Sequence, residues 1–315
     1  MLWSKGTAAH CDVAGPPGYR LRATESCRSQ SFFRRHYRRA SGVVWLRTSG
    51  LARRGQPCDL DRFARAALPT IRRPFALVTT DGDASVPSDL RPDTVAALLQ
   101  SPFLVTWRAQ NYDGTPHPKL GPFPIGLDLH TPRPEGDADA LARLLLDIRL
   151  RRPTPGGRRP RRVFTDVYLN PNSHDRRRVV ARLSDSPLVD FATAKVSQAE
   201  IWRRYAEATF VLSVPGVGND CHRTWEALYL GAIVIAKRSG IDALFANLPV
   251  ALVDDWEEVG DGARLAEWYA RYAPLTERAH IFRQLDPERW LTPVREAVAA
   301  ASGRRDRRER RRRAA

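Results

Sequence analysis

The sequence predicts two α/β domains, each built on a mostly parallel sheet. Three observations carry this. Short, β-rich apolar runs alternate with helical patterns along most of the chain, the signature of repeated strand–helix units. A stretch crowded with Arg, Pro and Gly, residues 151–161, interrupts the alternation near its middle. The length of 315 residues accommodates two domains of ordinary size.

In order, residues 1–40 are basic, mixed and aperiodic, and are expected to be disordered. The first domain spans 41–150. It opens on a strand at 42–46, followed by a helix at 59–68 with Leu60, Phe63, Ala64 and Ala67 on one stripe. A second strand, 75–80, ends at Asp81-Gly82-Asp83. A helix at 94–100, a strand at 103–107, a short fourth strand at 125–127 and a helix at 137–150 complete it. The linker 151–161 has too many breakers for either regular state. The second domain, 162–301, begins with a strand at 162–167, a helix at 173–184 and a strand at 189–192. A helix follows within 197–209, where Ser197 and Glu200 form a capping box. Strands at 210–214, 232–236 and 250–253 come next, with closing helices at 261–272 and 287–301. An Arg-rich tail, 302–315, is expected to be disordered.

The net charge of +16 is unevenly placed. Residues 1–40 carry +6, 149–162 carry +7 and 304–313 carry +6, leaving −3 for everything else. Folded domains close to neutral argue against a specific nucleic-acid partner, although the tail suits weak contact with an anionic surface. Only four of the 51 basic residues are Lys, a bias of composition rather than of a site. The four cysteines, Cys11, Cys27, Cys58 and Cys221, show neither C-x-x-C spacing nor a paired framework, so neither zinc nor disulfides are expected. No apolar run approaches the ~18 residues of a membrane span. The start of the chain lacks an apolar signal-peptide core, so a cytoplasmic location is expected, with an Arg-rich transit peptide as the alternative.

The densest information lies in 209–236, TFVLSVPGVGNDCHRTWEALYLGAIVIA. Two buried strands flank a turn at Pro215-Gly216-Val217-Gly218 and one short helix, with Asn219 or Asp220 as N-cap and Gly231 as terminator. Such a unit aims backbone N–H groups and a positive helix end at a ligand above the sheet. His222, Arg223 and Glu226 ride on that helix. Arg223 suits a phosphate, and Glu226, three residues on, suits a ribose diol. Lys237 and Arg238 follow the next strand, where a cation reaches a pyrophosphate. The donor set is therefore Gly216, Gly218, Asn219, His222, Arg223, Glu226, Lys237 and Arg238. A dinucleotide fingerprint is excluded, because Cys221 stands where its third Gly belongs and no acidic residue ends the next strand. There is no P-loop sequence. Trp225 and Tyr229 read as core.

These same residues resemble a known family. The segment CHRTWEALYLGAIVIAKRSGIDALFANLPVALVDDWEEV is similar to the C-terminal domain of exostosin-like glycosyltransferases, in which an Arg-x-x-Glu-Ala-Leu helix precedes a Gly-x-Ile-Pro-Ile strand. Arg223, Glu226, Ala227, Leu228, Gly231, Ile233 and Ile235 match, and Val234 replaces the family's proline. The resemblance covers about 160–260 and, more loosely, 42–132. It implies a GT-B-like fold, two Rossmann-like α/β domains facing a cleft, with a nucleotide-sugar donor on the second. It also implies an inverting transfer.

The first domain supplies further candidates. Asp81 and Asp83 end a strand, and His117 lies farther along. An inverting transfer requires a base for the acceptor hydroxyl, and these three are the candidates for that role. Asp81-Gly82-Asp83 also reads as an Asp-x-Asp metal motif or as plain turn chemistry. Arg108, Gln110, Asn111 and Asp113 follow a strand and offer planar groups to sugar hydroxyls. The expected function is a glycosyltransferase without metal or other cofactor, moving a sugar from a nucleoside-diphosphate donor, UDP-linked, to a hydroxyl acceptor. The alternatives are a metal-dependent Asp-x-Asp transferase and a non-catalytic polyanion- or carbohydrate-binding protein.

Overall fold

The computed structural model describes residues 1–21, 27–48, 57–151, 162–167 and 173–314. The expected linker falls outside them except for Arg151, the last residue of a helix. The chain forms two compact units, Ser4–Ile125 with Pro287–Ala315, and Met1–Trp3 with Gly126–Asp286.

In the first unit, β1 (Gly42–Arg47), β2 (Phe75–Thr80), β3 (Leu104–Ala109) and β4 (Leu120–Pro122) form a parallel sheet in chain order. Every residue of β2 is buried, as a parallel strand covered on both faces must be. Helices α1 (Pro17–Arg20), α2 (Gln30–Tyr37), α3 (Asp59–Ala66) and α4 (Pro92–Gln100) belong to this unit. The strand expected at 125–127 is absent. The fourth strand is 120–122, and Gly126 takes φ +71°, outside the range of an extended chain.

The expectation that 1–40 is disordered is overturned for its described residues. Ser29 caps α2 by accepting the Phe32 N–H at 3.3 Å, and Phe32, Phe33 and Tyr37 turn inward. The Tyr37 hydroxyl donates to Trp45 O at 3.2 Å, and Asp12 accepts the Val43 N–H at 2.7 Å. Arg34, Arg35 and His36 face solvent on the same helix. Basic composition thus conceals an aromatic face.

The C-terminal helix, Pro287–Ala314, is also placed differently. Its buried Leu291, Val294 and Val298 accompany contacts with β1, β2 and β3 of the first sheet. Arg305 stacks over the Phe103 ring at 4.5 Å, so the helix runs unbroken into the segment expected to be a disordered tail. An apolar stripe spaced by three and four residues announces a buried face without naming the sheet that buries it.

The second unit contains α5 (Ala138–Arg151), β5 (Val163–Thr165), α6 (His174–Leu183), β6 (Val189–Phe191), α7 (Gln198–Glu207), β7 (Phe210–Ser213), α8 (His222–Tyr229), β8 (Ile233–Lys237), β9 (Val250–Val253), α9 (Gly262–Tyr272) and α10 (Arg278–Gln284). Helix α5 was expected in the first domain. It belongs here, because buried Arg149 donates to Leu230 O at 3.2 Å and Thr276 O at 2.7 Å, supplying partners to carbonyls that end other helices. The boundary thus falls at 125/126. All five strands are parallel, in the order β6-β5-β7-β8-β9. The core gathers Val163, Phe210, Leu212, Ile233, Ile235 and Trp256. Trp225 and Tyr229 are buried as expected.

This order places the first strand between the second and third, so the winding reverses between β5 and β7. Ligands of open parallel sheets bind in the crevice beyond the carboxyl ends of the strands at such a reversal. Among the described residues, no helix is long and apolar enough to cross a membrane.

Phe33 is fully buried, so Phe33→Ala is expected to cost about 3–5 kcal/mol. Urea denaturation measures this, and a loss below about 0.5 kcal/mol would show that the N-terminal segment does not pack on the sheet.

Candidate functional site

At the reversal, β5 ends at Thr165 and delivers Asp166, while β7 ends at Ser213 and delivers Val214-Pro215-Gly216. Helix α8 starts after Cys221, which is its N-cap and makes no side-chain cap bond. The expected caps act otherwise: Asp220 accepts the Trp225 indole N–H at 2.7 Å, and Asn219 lies in the preceding turn. Ser213 and Thr224 hydroxyls meet at 2.8 Å, tying strand to helix. The helix stops at Gly231, φ +87°, as its glycine predicts.

Arg223 projects from the first turn of α8 to the crevice residues. Its Nε lies 2.5 Å from Asp166 Oδ1, and its Nη1 donates to Val214 O at 3.3 Å. The Tyr205 hydroxyl donates to Asp166 Oδ2 at 3.1 Å. Burial is the largest single influence on Arg223 and opposes its charge, but Asp166, with Tyr205 and Cys221, together outweigh it and hold the guanidinium more firmly protonated than usual. Beside it is Arg176 of α6. Its Nε donates to Pro215 O at 3.3 Å, and a Cβ on Gly216 would stand 3.0 Å from its Nη2. Burial first, then the like charge of Arg223, pushes Arg176 below its ordinary pKa. Ser173 joins the two elements, capping α6 through the Arg176 N–H and donating to Pro215 O, both at 3.2 Å.

Two guanidiniums, one carboxylate and two helix N-termini thus converge on the turn at Pro215-Gly216. Paired guanidiniums beside helix N-termini are chemically suited to a multiply charged anion, and Asp166 balances part of their charge. Of the residues singled out in the sequence, Arg223 and Gly216 lie in this cluster; Asp166, Ser173, Arg176 and Tyr205 lie there too and were not among those candidates. The Ser173 cap was legible. That Arg176 faces Arg223 follows only from the strand order.

Other donor candidates are differently engaged. Glu226 points away from Arg223, since its Oε1 accepts the Asp128 N–H at 3.4 Å; burial foremost, then Asp128, raises its pKa. The His222 Nδ1 lies 2.8 Å from Gly126 O. Lys237 pairs with Asp175 at 3.1 Å, and exposed Arg238 lies 3.3 Å from Asp254 and 3.7 Å from Asp242.

In the first unit, Asp81 takes φ +60° and is buried, with Lys5 Nζ 3.7 Å away, whereas Asp83 is exposed. The two carboxylates therefore do not share one environment. Gln110 accepts the Asp81 N–H at 2.9 Å and donates to Gly82 O at 2.8 Å, and Asn111 donates to Gly82 O at 3.2 Å. Asp113 accepts the Thr115 N–H at 2.8 Å and the Ser88 N–H at 3.0 Å. These three hold loops. His117 Nδ1 accepts the Lys119 N–H at 3.1 Å, a local turn. Half-buried Arg108 lies across Gly121, where a Cβ would stand 2.2 Å from its Nη1; burial alone lowers its pKa.

No family model matches the chain, and no curated protein matches it. Solved structures do show likeness. A UDP-forming α,α-trehalose-phosphate synthase from Burkholderia xenovorans is 12% identical, over 82% of this chain and 72% of that one, with a TM-score of 0.38. A trehalose-6-phosphate structure from E. coli bound with UDP-2-fluoro glucose is 9% identical, over 82% and 73%, with a TM-score of 0.41. A spinosyn rhamnosyltransferase complexed with thymidine diphosphate is 15% identical, over 78% and 68%, with a TM-score of 0.37. Likeness at this level carries no argument about function, which rests on the chain's own residues.

The Arg223 and Asp166 side chains are only 13% and 18% exposed. Asp166→Asn keeps the shape and strands a buried guanidinium, so a loss of about 3 kcal/mol is expected in urea denaturation. A loss under about 0.5 kcal/mol would mean that Asp166 does not balance Arg223.

Proposed function

We propose that this chain is a glycosyltransferase that binds the diphosphate of a nucleotide sugar in the β5/β7 crevice and moves the sugar to a hydroxyl acceptor. One observation carries the reading: Arg176 and Arg223 are held side by side, at a mutual electrostatic cost, in front of the α6 and α8 N-termini. A diphosphate relieves that cost. The exostosin-like resemblance points to the same helix independently, and two parallel α/β units are what a GT-B plan requires.

In this reading the acceptor oxygen bonds to the anomeric carbon as the bond from that carbon to the diphosphate breaks. The diphosphate leaves with the electron pair, and Arg223 and Arg176 stabilise its growing charge, an effect worth a few kcal/mol in a closed site (about 3 per donor). Those cations take the part a metal plays elsewhere. The acceptor proton goes to a base, and of the three named from sequence only Asp83 is exposed. The resemblance assigns the ribose to Glu226 and makes the transfer inverting and the donor UDP-linked.

A thermal-shift panel of UDP-, GDP- and ADP-sugars tests this. One nucleotide class should raise the melting temperature, since binding stabilises only through the folded state. Arg176→Gln, which leaves the Asp166–Arg223 pair in place, should weaken that nucleotide at least about tenfold, the ~1.4 kcal/mol or more expected of a charge-assisted hydrogen bond. If no nucleotide shifts the wild type, or Arg176→Gln binds equally well, the proposal fails.

A further inference from the structure

A second cluster of chemistry-bearing side chains lies in the same unit and has no part in the transfer just described. Asp128, His130 and His222 each present one potential ligand atom, and these atoms all lie within 4.8 Å of one another. We propose that Asp128, His130 and His222 form a binding site for a divalent transition-metal ion of the Zn²⁺ or Co²⁺ type.

The backbone presents these groups rigidly. Leu127 N–H donates to Leu2 O at 2.9 Å, and a Cβ on Gly126 would stand 2.3 Å from that same oxygen. Gly126, at φ +71°, is thus required where it is, and it fixes the start of the segment carrying Asp128 and His130. His222 is fixed by the Gly126 carbonyl. A carbonyl only accepts, so Nδ1 carries the proton and donates at 2.8 Å, leaving the lone pair on Nε2. A ligating imidazole is held in this way, its other N–H given to a backbone carbonyl.

Asp128 is oriented just as closely. Its Oδ2 accepts from Arg133 Nη2 at 2.7 Å, and its Oδ1 accepts the Thr131 N–H at 3.0 Å and the His130 N–H at 3.3 Å. His130 Nδ1 lies 3.3 Å from the same Oδ1. Two ligands about 2.0–2.1 Å from one tetrahedral ion stand about 3.3 Å apart, so this pair already has the spacing of a shared ion. The ligand atom of His222 lies within 4.8 Å of both.

The donor set selects the ion. Two imidazoles and one carboxylate suit Zn²⁺, Co²⁺, Ni²⁺ or Fe²⁺, whereas Mg²⁺ and Ca²⁺ prefer oxygen throughout. The buried carboxyl group of Glu226 accepts the Asp128 N–H and so helps to hold the Asp128 backbone in place. An ion there would tie the first turn of α8 to segment 126–130. Three protein ligands leave at least one position open to water or an anion.

The full-length protein, stripped with EDTA and dialysed, is titrated calorimetrically with Zn²⁺ and, in parallel, with Co²⁺ followed by its visible absorption. One equivalent should bind, with no comparable uptake of Mg²⁺. His130→Ala and His222→Ala should each weaken binding at least about 10–100-fold, the loss that even outer-shell changes produce. His36→Ala, which removes an exposed imidazole from α2, should change nothing. Partly exposed His130 gives the decisive variant if His222→Ala fails to fold. Absence of binding by the wild type, or equal binding by His130→Ala, overturns the proposal.

Discussion

Five parallel strands leave their sheet at the same edge, and a chain that adds strands first to one side and then to the other must part there. In the order β6-β5-β7-β8-β9 the parting lies between β5 and β7. The connections out of these two strands lead away in opposite directions, and the space between them is left to side chains. Everything polar at the crevice follows from this constraint. Asp166 is the residue after β5 in space, Pro215-Gly216 the turn after β7, and α6 and α8 the helices those turns start.

Electrostatics then completes what topology opens. Arg223 and Arg176 would repel each other without relief if Asp166 did not stand against Arg223 with Tyr205 behind it. The carboxylate is a placeholder of single charge for two cations. One charge of the pair is balanced and the other is left over. Gly216 is part of the same device, since a side chain there would crowd the Arg176 guanidinium.

Legibility from sequence divided along physical lines. The parallel α/β class and nearly every strand could be read, because buried strands write their apolar runs directly into the sequence. Arg223 could be read because its helix is bounded by a glycine turn and Gly231. Asp166 and Arg176 could not, since they meet Arg223 only through strand order, which no local pattern encodes. Gln110, Asn111 and Asp113 look like sugar ligands in sequence because amides and carboxylates serve loops and ligands alike; here they bind backbone. Asp128 and His130 gave no signal, being an unremarkable pair until His222 is brought beside them. The aromatic face of α2 was diluted by its arginines.

The C-terminal helix has a bearing on how the chain is made. Leu291, Val294 and Val298 cover the sheet whose strands are drawn from residues 42–122, so the first unit lacks part of its core until the last thirty or so residues have been synthesised. The second unit ends at Asp286, soon after its last strand, Val250–Val253, whereas the strands of the first are all made by Pro122, long before its closing helix. Domains generally fold in the order in which they emerge from the ribosome. Here that order is reversed at the last step: the half begun first is finished last, and a chain cut before residue 287 would carry the whole of the second unit and an unsealed first one.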